Sequence, residues 1–169
     1  MHLVSNYIQR QKAQFFLSAI PKEAMVLEIG SGGGWLGRHM RESGWINYHG
    51  LDITPPADIV GSISAWRSLG IAPESFDVVI AFEVVEHVDC FQEAYDILRP
   101  GGLLMVTTNV PHLDWICRIL EILGISQRRT SPHDHLVYLD RVRRFEMSRK
   151  RTVAFLSQWA ILRKPKPHR

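Results

Sequence analysis

Apolar residues along the chain follow two different rhythms. Tyr7, Phe15, Phe16 and Ile20 recur at roughly helical spacing and Pro21 follows them, which predicts an amphipathic helix over Asn6 to Ile20. The period then changes. Met25-Val26-Leu27-Glu28-Ile29 is a short, mostly apolar run expected to be a strand, and it leads directly into Gly30-Ser31-Gly32-Gly33-Gly34. A helix is expected from Trp35 to Ser43, closed by Gly44. Ile46 to Asp52 reads as a second strand and Asp58 to Ile63 as a third. Phe76 to Phe82 (FDVVIAF) is the near-continuous apolar run of a strand buried on both faces. A helix is expected over Glu83 to Leu98, with Pro100-Gly101-Gly102 as its stop. Leu103 to Thr107 reads as another buried strand, Leu113 to Leu123 as an apolar-rich helix, and Val153 to Leu162 as one strand or a tight hairpin.

Strands that alternate with helices argue for a parallel α/β sheet. No repeat, low-complexity tract or Gly/Ser/Pro linker divides the chain, so one domain over residues 1–169 is the simplest count. At 169 residues, 46% hydrophobic and 22% charged, the chain can bury a core, and disorder is excluded. The formal net charge of +3 does not by itself call for a nucleic-acid partner. Cys90 and Cys117 lie in no metal-type pattern, which fits reduced thiols in a cytoplasmic protein. The first residues, MHLVSNYIQRQKAQFF, are too polar for a signal peptide. The longest apolar stretch, Trp115 to Ile125, contains Arg118 and Glu121 and is too short and too charged to span a bilayer.

A strand that ends in a glycine-rich turn opening a helix lets a ligand approach the main chain closely, at the carboxyl end of the sheet. Two acidic residues sharpen this. Asp52, at the end of the second strand, is placed to take both hydroxyls of a ribose. Glu28, beside the loop, would repel a pyrophosphate and attract an ammonium group. The dinucleotide fingerprint fails as well, because its third glycine falls at Trp35. The pattern therefore favours S-adenosylmethionine, whose methionine half carries an ammonium, over NAD.

VLEIGSGGGWLG, GLDIT, SFDVVIAFEVVEHV and ILRPGGLLMVTTNVP, in that order, resemble the motifs of class I S-adenosylmethionine-dependent methyltransferases, specifically the small-molecule type of ubiquinone and menaquinone biosynthesis. The resemblance covers about residues 22–112, the expected cofactor-binding core, and leaves about 113–169 as an acceptor or lid region. It implies a Rossmann-like three-layer αβα sandwich with a mostly parallel sheet. It also implies that Gly30, Ser31 and Gly32 pass under the methionine part of the cofactor, that Glu28 holds its amino group, that Asp52 binds the ribose and that Ile53 lies against the adenine. Phe82 and Glu83 would line the cleft near the transferred methyl. Two departures stand out. Only Thr54-Pro55-Pro56-Ala57 separates Asp52 from Asp58, where the family places a helix, so the third strand is expected to be absent, irregular or not parallel to the second. Ser62 stands where the family commonly has an acidic residue for the adenine amino group, which leaves a weaker acceptor or a backbone contact from Ile63.

Methyl transfer needs alignment first and a base only for some acceptors. Glu83, Glu86 and His87 are the local candidates. On a helix, Glu83 and His87 would share a face, as a general base (His87) or a divalent-metal site, against the plainer reading of Glu86 and His87 as the start of that helix. His112, His133 and His135 form a second group, with no third metal ligand evident beside His133 and His135. The segment Ala81-Phe82-Glu83-Val84 replaces the Asn-Pro-Pro-aromatic signature of amino-directed enzymes, which argues against exocyclic amines of nucleic acids. Arg141, Arg143, Arg144, Arg149, Lys150, Arg151, Lys164, Lys166 and Arg169 crowd the last third, either for an anionic partner such as RNA or as a solvated face and a frayed tail. The C-terminal antiparallel pair typical of the family is expected only in part, over Thr152 to Arg163. The function implied is methyl transfer to a small molecule. RNA methylation and a non-catalytic S-adenosylmethionine-binding module are the alternatives.

Overall fold

In the computed structural model, residues 2–122 and 135–167 are described. Among these residues, seven strands form one sheet: β1 (Val26–Ile29), β2 (Tyr48–Asp52), β3 (Ile59–Val60), β4 (Phe76–Phe82), β5 (Leu98–Asn109), β6 (Glu146–Val153) and β7 (Ser157–Arg163). Their order is β3-β2-β1-β4-β5-β7-β6. The first five are parallel, and β7 runs antiparallel to both β5 and β6. The helices are α1 (His2–Phe16), α2 (Trp35–Glu42), α3 (Phe91–Ile97) and α4 (Asp114–Ile122).

Alternation along the buried strands builds two cores. Val26, Val78, Ile80, Met105, Trp159 and Ile161 face α1 and α2, where Phe15, Phe16, Leu36 and Met40 meet them. Leu27, Val79, Ala81, Leu104, Val106, Ala160 and Leu162 face the other way, onto Ala94 and Ile97 of α3. Each interior strand thus divides its apolar residues between two helical layers, as a parallel sheet covered on both faces requires. This is the Rossmann-like αβα sandwich expected from the sequence.

The chain leaves α1 at Phe16 and tightens into a 3₁₀ turn over Leu17–Ala19, with Ile20 extended ahead of Pro21. Three other elements depart from the sequence reading. The helix expected over Glu83 to Leu98 starts only at Phe91. Glu83 sits at φ 55°, and residues 85–87 form a turn, so Glu83 and His87 do not share a helix face. Pro100-Gly101-Gly102 does not precede the next strand but bulges within it, since Leu98 already pairs with Phe76 and Leu103 with Val78. The C-terminal pair is a full hairpin of eight- and seven-residue strands.

The third strand is parallel to β2 after all, with Leu51 opposite Ile59 and Asp52 opposite Val60. A crossover of only six residues suffices because just two residues are laid down. Further along the edge a side chain takes the place of a strand: the Asp58 carboxylate accepts from Gly50 N (2.7 Å) and pairs with Arg41 (2.6 Å). The ladder needs no helix to complete it there.

Candidate functional site

The carboxyl ends of β1, β2, β4 and β5 converge on the glycine loop. Gly30 is required there on two counts. Its φ is 73°, and a Cβ would lie 2.4 Å from Val84 Cγ2. The loop of β1 and the turn after β4 therefore touch through a position that only hydrogen can occupy. Beyond it, a Cβ at Gly33 would meet nothing within 4 Å, so the loop presents open main chain. Gly34 caps α2 without a side chain.

Asp52 closes this loop from β2. Its Oδ2 accepts from Gly32 N at 2.8 Å, and its Oδ1 accepts from Thr54 N (3.0 Å) and Thr54 Oγ1 (3.1 Å). Partial burial opposes ionisation, but these donors outweigh it and hold the carboxyl below the usual range. Oδ2, with a single donor, keeps lone-pair capacity for a further one. Ile53 beside it is 73% exposed, an unpartnered apolar side chain at the strand end. Ser62 caps a short 3₁₀ turn, sharing a hydrogen bond with Ser64 Oγ (2.8 Å), and the Ile63 side chain is buried in the core.

Two glutamates flank the loop. Glu28 is buried on the α1/α2 side, and its Oε2 accepts from the Tyr48 hydroxyl. Burial pushes its carboxyl up to about 8, against the opposing influence of Tyr48 and Lys12. Burial pushes the Tyr48 hydroxyl up as well, with the Glu28 charge second. Glu83 lies at the end of β4 with its side chain 41% exposed. Its Oε1 accepts from Lys12 Nζ at 2.9 Å and from Thr107 Oγ1 at 2.8 Å. Desolvation acts against its charge, but the Lys12 ammonium and these hydrogen bonds prevail and lower its pKa. Three residues on, Glu86 is 1% exposed, and burial followed by the Glu83 charge raises its pKa. Among the described residues, Glu86 Oε2, Thr108 Oγ1 and Ser31 Oγ are buried without a hydrogen-bond partner.

Phe82 packs its ring on Phe16 (4.8 Å between centroids), under the Lys12 ammonium (5.1 Å). His87 is half-buried in the turn after β4. His112 meets the Tyr138 hydroxyl at 2.9 Å, and His135 N donates to the Glu86 carbonyl. His133 lies outside the described residues. No group of three or more His, Cys, Asp and Glu among those described is arranged to hold a metal ion.

Arg169 lies outside the described residues, and several of the other basic residues of the last third are tied to the fold. Lys164 is buried, not frayed, with its Nζ donating to the carbonyls of Tyr95 and Leu98 and to Glu74. Arg149 covers the Phe15 ring, Arg144 the Tyr95 ring, and Lys150 pairs with Asp140. No helix among the described residues is long and apolar enough to cross a membrane.

Sequence reasoning missed Lys12, Tyr48 and Thr107. For Lys12 a signal was present. It stands three and four residues before Phe15 and Phe16 and so lies on the buried face of α1, where a lysine needs a partner.

The strand order, the glycine loop and the acidic residues closing β1 and β2 define a Rossmann-like, class I methyltransferase fold. The chain belongs to the methyltransferase-domain family, whose family model matches residues 2–157. It is 35% identical over 125 residues to the ubiquinone biosynthesis O-methyltransferase of Cereibacter sphaeroides, a match covering 61% of this chain and 50% of that protein. It is 39% identical over 72 residues to the mitochondrial ubiquinone biosynthesis O-methyltransferase of Rattus norvegicus, covering 38% of this chain and 21% of the relative. The chain thus spans half or less of the length of these curated relatives. Among solved structures, an S-adenosylmethionine-dependent methyltransferase from Methanosarcina mazei superposes with a TM-score of 0.66 at 16% identity, covering 90% of this chain and 97% of that one. Another from Mesorhizobium loti gives 0.61 at 14% identity, with 90% and 97% covered. The family's cofactor is S-adenosylmethionine, and the open main chain at Gly33, the anchored Asp52 carboxylate and the bare Ile53 side chain are a donor set that fits it.

Proposed function

We propose that this chain transfers the methyl group of S-adenosylmethionine to an oxygen of a small molecule. The observation that carries the reading is the Asp52 carboxylate, fixed by Gly32 N and Thr54 at the rim of an open glycine loop. Asp52 would hold the ribose hydroxyls and Ile53 would back the adenine, with Ser62 and the Ile63 main chain at its edge. Gly30, Ser31 and Gly32 would carry the methionine part, and Glu28 would face its ammonium. That ammonium would draw the Glu28 proton off, so cofactor affinity rises with pH up to about 8, the value to which burial pushes this carboxyl.

When bound, the cofactor supplies a methyl on a positively charged sulfur, which leaves as a neutral thioether. The residues of this chain have to align the acceptor, exclude water and receive one proton. Phe82 supplies an apolar wall at the end of β4. Glu83, ionised and accessible, accepts a hydrogen bond from the acceptor hydroxyl. His87, in the same turn, takes the proton released as the new C–O bond forms. The names of the curated relatives, O-methyltransferases of ubiquinone biosynthesis, support oxygen as the target atom. The ring and carboxylate contacts of Arg141, Arg144, Arg149 and Lys150 favour a structural role for these residues over RNA binding. The free Cys90 thiol supports a cytoplasmic site of action.

Calorimetric titration with S-adenosylhomocysteine tests the cofactor half. Micromolar binding is expected, with none for NAD and an affinity about 10- to 100-fold lower in Asp52→Ala, the loss of charge-assisted hydrogen bonds. Intact affinity in Asp52→Ala would refute the assignment. A panel of phenols and catechols with methyl-labelled cofactor then tests the acceptor. Label that appears on none of them, but on nitrogen or carbon acceptors, would overturn the oxygen target.

A further inference from the structure

We infer that Lys12, on the N-terminal helix, is a positioning residue of the transfer site: its ammonium fixes Glu83 as the ionised member of the Glu83/Glu86 carboxyl pair. The inference rests on the proposed reaction only for its purpose, and the geometry stands by itself.

Lys12 is 8% exposed. A lysine so deeply placed must find an anion or lose its charge. It reaches across 71 residues of sequence to Glu83 Oε1 at 2.9 Å, and the same ammonium lies over the Phe82 ring. No other anion among the described residues is recorded in contact with it, although the Glu28 carboxyl lies close enough to be lowered by its charge. The cluster therefore holds one cation between the ends of β1 and β4, and two carboxyls within one turn of chain. With Glu83 charged, ionising Glu86 as well would bury a second negative charge beside the first, which is unfavourable at neutral pH. The ammonium decides which one ionises. It touches Glu83, and Thr107 Oγ1 donates to the same oxygen. Glu86, facing Thr108 and carrying a buried oxygen that has no partner among the described residues, keeps the proton.

Among the described residues, the groups around the pair are few. Lys12 from α1 and Thr107 from β5 meet Glu83, Thr108 from β5 faces Glu86, His87 shares the turn, and Glu28 on β1 feels the same Lys12 charge. From the segment beginning at residue 135, His135 N binds the Glu86 carbonyl. Lys12 supplies the charge among them that favours a carboxylate at Glu83. Without it, the lone negative charge would spread toward the buried Glu86 or be neutralised, and the accessible acceptor at the end of β4 would be lost. The seating of α1 and the state of Glu83 are thereby one event.

The test is a carbon-13 NMR titration of glutamate side-chain carboxyls in the full chain, assigned by Glu28→Gln, Glu83→Gln and Glu86→Gln. In Lys12→Met, which keeps the apolar stem, the Glu83 midpoint is expected to rise by about one to three pH units, the effect of removing an adjacent opposite charge. The Glu28 midpoint should rise less, and Lys12→Arg should restore Glu83. A purely structural lysine would lower thermal stability and leave the Glu83 midpoint of the folded variant where it was, and that result overturns the inference. Should Lys12→Met not fold, the wild type decides: the Lys12 Nζ nitrogen-15 resonance must shift with the Glu83 midpoint, and one that ignores it overturns the inference equally. Neither readout involves cofactor or methyl transfer. Failure to bind S-adenosylhomocysteine would count against the proposed function and leave this result standing.

Discussion

The ends of β1 and β4 carry the same residue type in opposite states. Glu28 and Glu83 both close parallel strands, and both feel Lys12. Glu28 is buried and meets a hydroxyl, so its carboxyl is pushed up to about 8. Glu83 is partly exposed and meets an ammonium, so its carboxyl is lowered. A hydroxyl stabilises either form of an acid, whereas an ammonium stabilises only the anion. Partner type, more than strand position, sets the state of each end: the first favours the neutral acid, the second the carboxylate.

The largest expected effect comes from forcing the two ends apart. Gly30→Val puts a branched side chain where Val84 already stands, at φ 73°. Overpacking and the left-handed backbone together cost about 2–5 kcal/mol. Denaturant unfolding should show this loss, and Gly30→Ala combined with Val84→Ala should recover the steric part and not the backbone part. If Gly30→Val unfolds at the wild-type midpoint, the contact between the two ends is not tight.

The next effect distinguishes the two ends by pH. A carboxyl raised from 4.5 to about 8, as Glu28 is, stabilises the fold fully below pH 4.5, and that contribution is lost as pH rises through 8. Each such group tilts stability by about 1.4 kcal/mol per pH unit within its window. Glu28→Gln should therefore flatten the decline in stability between pH 5 and 8. Glu83, lowered, has the opposite sign: its stabilisation is present above pH 4.5 and lost as pH falls through its folded value. Glu83→Gln should remove stability on the acid side, and should act between pH 5 and 8 only by relaxing Glu86. Identical pH profiles for the two variants would erase the distinction.

The same contrast explains what was legible in the sequence. The β1–β2 side is assembled from near neighbours: Gly32 meets Asp52 across 20 residues, within one strand–helix–strand unit, so a linear pattern of glycines and acids reports it. The β4 side is assembled from residues 12, 83, 86 and 107, from three elements and across a separation of 71 residues. No local pattern encodes that meeting. The expected helix over Glu83 to Leu98 failed for a related reason. Residues 84–88 satisfy helical spacing, but Val84 is held against Gly30, and Glu83 turns to φ 55° to reach Lys12 and Thr107. Tertiary contacts overrode local propensity. The two-residue β3 was hidden differently, because a side chain, Asp58, does the hydrogen bonding a longer strand would have done.

The smallest expected effect is the most direct comparison, because it removes one hydroxyl from each glutamate. Tyr48→Phe takes away the hydrogen-bond donor found for Glu28 among the described residues. Thr107→Val takes one donor from Glu83 and leaves Lys12 in place. Losing a hydrogen bond costs about 0.5–1.5 kcal/mol, and more when the group left behind is buried without a partner. Tyr48→Phe should therefore lie at or above the top of that range and Thr107→Val near its bottom, measured by urea unfolding at pH 6. The pH dependence should separate them further. Tyr48 lowers the Glu28 carboxyl, so its loss should extend the declining limb of stability beyond pH 8, while Thr107→Val should leave that limb unchanged. Equal costs and parallel pH profiles would mean that the ammonium adds nothing at Glu83 that a hydroxyl does not, and that the two ends differ in burial alone.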